Sequence, residues 1–544
     1  MKEATTKNGD WWRGAVIYQV YPRSFQDTTN DGGGDLRGIT RRLSHIASLG
    51  ADAVWMSPFF KSPMADMGYD VSDYCDVDPM FGTLADFDAL VTEAHRLGLK
   101  VIIDQVLSHS SDQHAWFKES RKSRTNPKAD WYVWAEAKED GSAPNNWLSV
   151  FGGPSWEWDS TRKQYYMHNF LVSQPDLNFH NVEVQDALLA TVRFWLERGV
   201  DGFRLDTVNF YFHDEKLRDN PPLKRGPNFA DTHAYGYQDH LYDKNRPENL
   251  AFLGRLRALL DEYGAITVGE VGEGDGVKSL KIVSDYTSGG DKLQMCYTFD
   301  MLGPEFSPEQ IRKCAEPFAT GLEEGWICWA FSNHDVVRHV TRWTPPGGDT
   351  DKVAKLAAAL LVSLRGAVCI YQGEELELEE AELAFEDLRD PYGIRFWPGF
   401  KGRDGCRTPM VWDSAQQNAG FSAAKPWLPV PARHLIKAVS IQEGDPGSVL
   451  SAYRTMIGFR KANPPLASGG FEILDTPRDI LAFVRSTVEE RILCVFHFAP
   501  EAAAWEFPAS IESAAHLPTL DFGEKVEGRT VHLPPYSAFF AKVN

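Results

Sequence analysis

The chain has 544 residues, with 56 Lys and Arg against 76 Asp and Glu, a formal charge of −20 at pH 7. A hydrophobic fraction of 43% with 24% charged residues is that of a globular protein and excludes disordered and collagen-like classes. The carboxylate excess repels phosphate, so neither nucleic acid nor an anionic membrane is an expected partner. The seven cysteines are odd in number, form no CxxC pair, and several lie in apolar runs such as GAVCIY. Reduced, buried thiols are expected rather than a disulfide framework. The first residues, MKEATTKNGDWW, carry no apolar signal region. The longest apolar run, LAAALLVSL, is far short of the roughly 18–20 residues of a membrane span. A cytoplasmic protein is the expectation.

In chain order, short apolar runs alternate with amphipathic stretches. VIYQVY (16–21) predicts a strand, ITRRLSHIASLG (39–50) a helix closing on Gly50, and ADAVWMSP (51–58) the next strand. Thr83 and Asp86 form a capping box, and Leu84, Phe87, Leu90, Val91, Ala94 and Leu97 keep helical spacing up to Gly98. KVIIDQV (100–106) is the continuous apolar run of a buried parallel strand. Helices over about 183–198 and 248–262 lead into DGFRLD and AITVGE. A less regular stretch precedes QMCYTFD; helices over about 307–319 and 351–364 precede ICWAFS and GAVCIYQ. Eight buried strands separated by helices predict an α/β fold, a (β/α)8 TIM barrel whose reactive residues sit at the C-terminal strand ends.

Two segments break this rhythm. Residues 107–172, rich in Trp, Asn, Ser and Gly, predict a small domain inserted after strand 3. Residues 464–544 carry the short β runs ILAFVRS, RILCVFHFA, RTVHLPP and SAFFAKV and predict an all-β C-terminal domain. The barrel then takes 1–106 and 173–463. The long excursion at 209–247 is expected to be a functional lid, and EELELEEAEL (374–383) a solvated acidic stretch.

Carboxylates fall where the barrel demands them. Asp104, Asp206, Glu270 and Asp335 follow strands three, four, five and seven, with Arg204, His109 and His334 beside them. One buried carboxylate is as easily a structural ion pair. Four that converge repel one another, which only a site that separates their pKa values can use. Such a pair is the equipment of glycoside cleavage, one nucleophile and one acid/base. Metal-assisted hydrolysis ranks low, because His109 and His334 are the only histidines near the strand ends.

DQVLSH (104–109), GFRLDTVN (202–209), GEV (269–271) and FSNHD (331–335) resemble, in order and spacing, the four signature regions of the α-amylase family, glycoside hydrolase family 13. QPDLN (174–178) resembles its fifth region in the oligo-1,6-glucosidase form, and WWRGAVIYQVYPRSF, GYDVSDY and GRDGCRTPMVW are similar to the α-glucosidase branch. The resemblance spans nearly the whole chain and implies a catalytic barrel, an inserted domain and a β-sandwich. It implies Asp206 as nucleophile, Arg204 holding it ionised, Glu270 as acid/base and Asp335 gripping sugar hydroxyls. It further implies His109 and His334 as partners of the same glucose, Tyr69 stacked under it, and Asp70 with Arg403 as the pair that closes the pocket in exo-acting members. Phe151, Phe170 and Phe299 are candidate pocket-lining aromatics. In this branch Val after the nucleophile is associated with α-1,6 substrates; Thr207 therefore points to α-1,4 bonds. The RLDRD-type signature of sucrose isomerases is replaced by RHVTR (338–342).

In DTTNDGGGD, Asp27, Thr29, Asp31, Gly33 and Asp35 take alternate positions of an EF-hand-like loop around Gly32, although Gly38 stands where the closing Glu would be. Such loops are often plain turns, but the resemblance implies a structural divalent cation there, Ca2+ or Mg2+, and no organic cofactor.

The combined expectation is a retaining exo-α-glucosidase acting on maltose, sucrose and short malto-oligosaccharides, with transglucosylation to alcohol or sugar acceptors. Its alternatives are a glucosyltransferase or sucrose hydrolase of the same fold and, remotely, a non-catalytic transporter-associated relative. No feature of the sequence speaks to oligomeric state.

Overall fold

The computed structural model describes residues 10–224, 234–273, 276–322 and 325–544. The first nine residues, read above for a signal region, and residues 225–233 of the long excursion lie outside these.

The barrel strands are β1 (Val16–Val20), β2 (Ala53–Met56), β3 (Lys100–Gln105), β4 (Gly202–Leu205), β5 (Ile266–Val271), β6 (Met295–Thr298), β7 (Cys328–Ala330) and β8 (Ala367–Tyr371). Each pairs in parallel with its sequence neighbour, and β8 returns to β1. An isolated parallel bridge, Cys296 to Ile327, joins β6 to β7 and completes the circle. The strands are buried almost throughout, as apolar runs covered by an outer ring of helices must be.

The helices start and stop on the signals seen in the sequence. Helix α1 (Leu36–Leu49) is capped by Asp35, which accepts the Gly38 N–H, and ends on Gly50 at φ 87°. Helix α2 (Leu84–Arg96) has the reciprocal Thr83–Asp86 capping box. Helices α3 (Val182–Leu196), α4 (Asn249–Asp261), α6 (Pro308–Gly321) and α7 (Thr350–Leu361) lie within a few residues of expectation. The less regular stretch before β6 is itself helical, α5 (Gly276–Thr287). Its buried face consists of Ser279, Val283, Tyr286 and Thr287, a spacing disguised by two small polar residues. Among the described residues no helix is long and apolar enough to cross a membrane.

After β3 the chain builds a three-stranded antiparallel sheet from Trp134–Ala135, Gln164–Met167 and Trp156–Asp159. Its core of Val133, Ala135, Trp147, Trp156 and Met167 also takes in Leu217 and Tyr242. The excursion after β4 thus packs on the insertion after β3, and together they wall one side of the barrel mouth. Beyond helix α8 (Val449–Ala462), a five-stranded and a three-stranded antiparallel sheet face each other across Ile480, Val484, Leu493, Val495, Trp505, Val531 and Phe539. This is a β-sandwich.

The acidic run 374–383 is not the solvated face expected. Glu374 and Glu375 are 2% and 0% exposed. Tyr453 Oη donates to Glu374 at 3.0 Å and Tyr18 Oη to Glu375 at 2.7 Å, while Lys437 pairs with Glu377 at 3.0 Å. The run follows β8 directly, and hydroxyl and cationic partners make its burial tolerable. All seven cysteines are free, and six of them are buried.

Candidate active site

A cavity of about 730 Å3 opens at the C-terminal strand ends. Asp206, Glu270 and Asp335 lie in its wall with Tyr69, His109, Thr207, Arg403, Phe151, Phe170 and Phe299. Arg204, His334 and Asp104 stand directly behind them, each 1% exposed or less.

Arg204 organises the centre. It projects from β4 into the barrel, where its Nη1 donates to Asp104 at 2.8 Å and Asp206 at 2.6 Å. Its Nη2 donates to the Tyr297 hydroxyl at 2.8 Å and pairs with Glu270 at 2.6 Å. One guanidinium therefore clamps both candidate catalytic carboxyls and holds them close together. Asp206 follows the last residue of β4, and Thr207 turns the chain in a left-handed conformation, φ 41°. That turn points the Thr207 N–H at Glu270 Oε2, 2.8 Å away, and places Thr207 Oγ1 3.3 Å from Asp206 and 3.0 Å from Ser108 Oγ.

Burial pushes Asp206 up to about 7, against the pull of Arg204 and with the push of Asp104. Burial likewise pushes Glu270 up to about 7, with Arg204 opposing and Asp206 and Asp335 adding repulsion. Two such neighbours hold close to one proton between them near neutrality. Burial also raises Asp335, but His334, Arg403 and Arg407 outweigh it and hold the carboxyl well below the usual range. Asp335 is therefore the permanently ionised member. Burial lowers His109 to about 4 and His334 to about 3, so both are neutral hydrogen-bonding groups.

Tyr69 lies parallel to the His334 ring, centroids 5.4 Å apart, with its Oη 2.5 Å from His334 Nε2 and donating to Asp104 at 3.1 Å. His109 Nε2 is 3.1 Å from the Tyr69 carbonyl and 3.2 Å from Gln174 Nε2. Phe170 packs on His109 and Phe151, and the Arg403 guanidinium lies over Phe151 at 5.1 Å.

The closing pair differs from the sequence expectation. Arg403 meets Asp66 at 2.7 Å, Asp390 at 2.8 Å and Asp335 at 3.2 Å. Asp70 lies outside the cavity wall, fully buried, and accepts from Ser62 Oγ and the backbone N–H groups of Ala65 and Asp66. It ties the 62–70 turn and thereby presents Asp66. Both aspartates stand in the one ADMGYD motif, so sequence pattern offered two carboxylates and only the turn decided which faces Arg403. Arg407 reaches the His334 carbonyl at 2.7 Å and Asp335 at 2.9 Å.

Other wall residues carry no motif. Phe210, Tyr235, His240 and Lys244 come from the excursion, and Glu273 from the loop after β5. Lys244 donates to the Gly272 carbonyl at 3.0 Å, and the rings of Tyr235 and His240 stack 3.8 Å apart.

The 27–35 loop contributes no residue to the cavity wall. Asp27 accepts from the N–H groups of Thr29, Asn30 and Gly32 and from Ser422 Oγ; Asp35 accepts from Thr28 and Gly38; and Asp31 accepts from the Gly33 N–H. Gly32 takes the sharp turn at φ 95°. Among the described residues no group of three or more His, Cys, Asp or Glu is placed to hold a metal ion. The loop's carboxylates are turned to backbone donors, and no chemistry of the site runs through a cation there.

The family description "Alpha amylase, catalytic domain" matches residues 19–469. The chain is 61% identical to a probable α-glucosidase of Rhizobium meliloti (strain 1021), over 98% of this chain and 97% of that one. It is 34% identical to an oligo-1,6-glucosidase of Parageobacillus thermoglucosidasius, over 98% and 99%. The crystal structure of the α-glucosyl transfer enzyme XgtA superposes with a TM-score of 0.94 at 52% identity, covering 98% of this chain and 99% of that one.

Proposed function

The chain belongs to the α-amylase family of glycoside hydrolases, and we propose that it is a retaining exo-α-glucosidase that releases glucose from the non-reducing end of short α-glucosides. The observation that carries this reading is the Arg204 clamp, which holds two carboxyls with raised pKa values on one guanidinium. So short a tether favours the separation of retaining enzymes, about 5–5.5 Å, over the wider gap of inverting ones.

Asp206, as carboxylate, attacks the anomeric carbon. The bond to the leaving sugar breaks as Glu270 gives its proton to the glycosidic oxygen. In the second half, Glu270 takes a proton from water or a sugar or alcohol hydroxyl, whose oxygen then displaces Asp206. Asp335, His109 and His334 hold hydroxyls of the reacting glucose, and Tyr69 stacks beneath it. Asp66 replaces Asp70 as the partner of Arg403 in closing the pocket end, which supports action on one terminal glucose at a time. Thr207 supports maltose-type α-1,4 linkages, with sucrose as a second substrate. The 61% identical probable α-glucosidase supports hydrolysis, and the likeness to an α-glucosyl transfer enzyme supports transfer to acceptors as a competing second half.

Time-resolved product analysis with maltose, sucrose, isomaltose and soluble starch, with and without an alcohol acceptor, tests this. The expected result is rapid α-glucose from maltose, slow action on starch, and glucosylated acceptor. Internal cleavage of starch, or β-glucose as first product, overturns it.

Two further proposals concern the whole protein. A divalent cation in the 27–35 loop is supported by its alternating oxygens and by Gly32, and requires Asp27, Asp31 and Asp35 to turn oxygens from their backbone partners toward it. A cytoplasmic location is supported by the seven unpaired cysteines.

A further inference from the structure

Tyr297 belongs to none of the motifs above, yet it sits at the centre of the catalytic cluster. It projects inward from β6, is 2% exposed, and packs its ring against Trp55 and Phe299. Its hydroxyl accepts from Arg204 Nη2 at 2.8 Å and donates to Glu270 Oε1 at 2.8 Å. Both hydrogen-bonding directions are thereby fixed: the guanidinium can only donate, so the phenolic proton is turned toward the carboxyl. Burial keeps the phenol well above its usual pKa despite Arg204, so that proton stays in place. Among the described residues the other carboxyl oxygen, Oε2, accepts only the Thr207 N–H, at 2.8 Å, and has a lone pair left for the cavity.

We propose that Tyr297 is a positioning residue for the acid/base: its hydroxyl, together with Arg204 Nη2 at 2.6 Å from the same oxygen, pins Glu270 Oε1, so that Oε2 is the oxygen that carries the proton and delivers it to the glycosidic oxygen. The inference rests on the proposed double displacement. In its first half the glycosidic C–O bond breaks with its electron pair going to the leaving oxygen. That oxygen takes the proton from Oε2, and Asp206 forms the new bond to carbon. Tyr297 exchanges no proton in this step. It fixes the rotamer of Glu270 and stabilises the carboxylate left behind.

The groups that face Glu270 are Arg204 on β4, Asp206 and the Thr207 N–H just after it, Tyr297 on β6 and Asp335 after β7. Among these, Tyr297 can be changed with the loss of a single oxygen.

The test is Tyr297→Phe, assayed on maltose and on 4-nitrophenyl α-glucoside in parallel. Phenylalanine keeps the ring that packs on Trp55 and Phe299, so the fold is retained. Nitrophenolate leaves without a proton, whereas the sugar alkoxide of maltose needs one. The expected result is a fall in kcat/KM of roughly 10–100-fold on maltose with less than about a threefold fall on the nitrophenyl substrate. The basic limb of the maltose pH profile should also move upward, because a donor to the carboxylate is gone. Equal losses on both substrates, or a maltose rate and basic limb left as in the wild type, overturn the role. These outcomes are distinct from failure of the underlying reading, in which the wild-type protein itself cleaves neither substrate.

Discussion

Thr207 holds a left-handed backbone, φ 41° and ψ 47°, at a cost of roughly 1–3 kcal/mol for a non-glycine residue. The strain aims its N–H at Glu270 and its hydroxyl toward Asp206 and Ser108. Thr207→Val keeps the branched shape and removes only the hydroxyl. The maltose-to-isomaltose ratio of kcat/KM should fall by roughly tenfold; an unchanged ratio removes Thr207 from linkage selection. Asp66 and Asp70 separate binding from scaffolding in the same way. Asp66→Asn breaks a buried ion pair with Arg403, so KM should rise at least about tenfold; Arg403 keeps Asp390 and Asp335 as partners, so the loss stays below the roughly 3–5 kcal/mol of a buried charge left with none. Asp70→Asn weakens a turn, with a loss of about 1 kcal/mol in stability and little change in KM. KM and Tm measured on both variants check this, and the reverse pattern would restore Asp70 to the pocket.

Two loops show what an acidic run can become once folded. In the 27–35 loop each carboxylate already has backbone donors, and Asp35 also caps α1. If the proposed cation binds there, chelator treatment should lower Tm by several degrees; no shift, with metal analysis also negative, leaves the loop held by its own hydrogen bonds. The 374–383 run sits beside β8, and burial pushes Glu374 up to about 8 despite the Tyr453 hydroxyl. The sign of its effect follows by linkage. An unfolded Glu titrates near about 4.3, so the folded chain holds the extra proton between there and about 8. Its stability contribution is complete below about 4.3 and is lost as pH rises through 8. Glu374→Gln should therefore leave Tm unchanged at pH 4 and raise it by about 2–4 °C at pH 9, as thermal melts at the two pH values would show. A variant destabilised at both would mean that its hydrogen bonds matter more than its charge.

At the scale of the molecule, the barrel brings Asp104, Asp206, Glu270 and Asp335 from four strands onto one guanidinium and its neighbours. Because Asp206 and Glu270 both stand near 7, kcat/KM should trace a narrow bell centred near neutral pH. It falls below as the nucleophile gains its proton and above as the acid loses its own; a flat plateau from pH 5 to 9 would contradict this pairing. The strands, most of the helices and the four strand ends that carry the candidate catalytic carboxylates were legible in the sequence. Buried parallel strands must be continuously apolar, caps are local, and a reactive residue at a strand end is one step from a recognisable run. Helix α5 was not legible, because Ser279 and Thr287 on its buried face hide the period. Nor was the burial of Glu374 and Glu375, whose partners Tyr453 and Tyr18 lie 79 and 357 residues away. The sequence by itself determined which chemistry the chain carries and at which strands. Only the tertiary structure decided that Asp66 rather than Asp70 meets Arg403, and that Tyr297 stands between Arg204 and Glu270. Those choices depend on how a turn and a barrel orient side chains across long stretches of chain, and no local pattern of residues records that orientation.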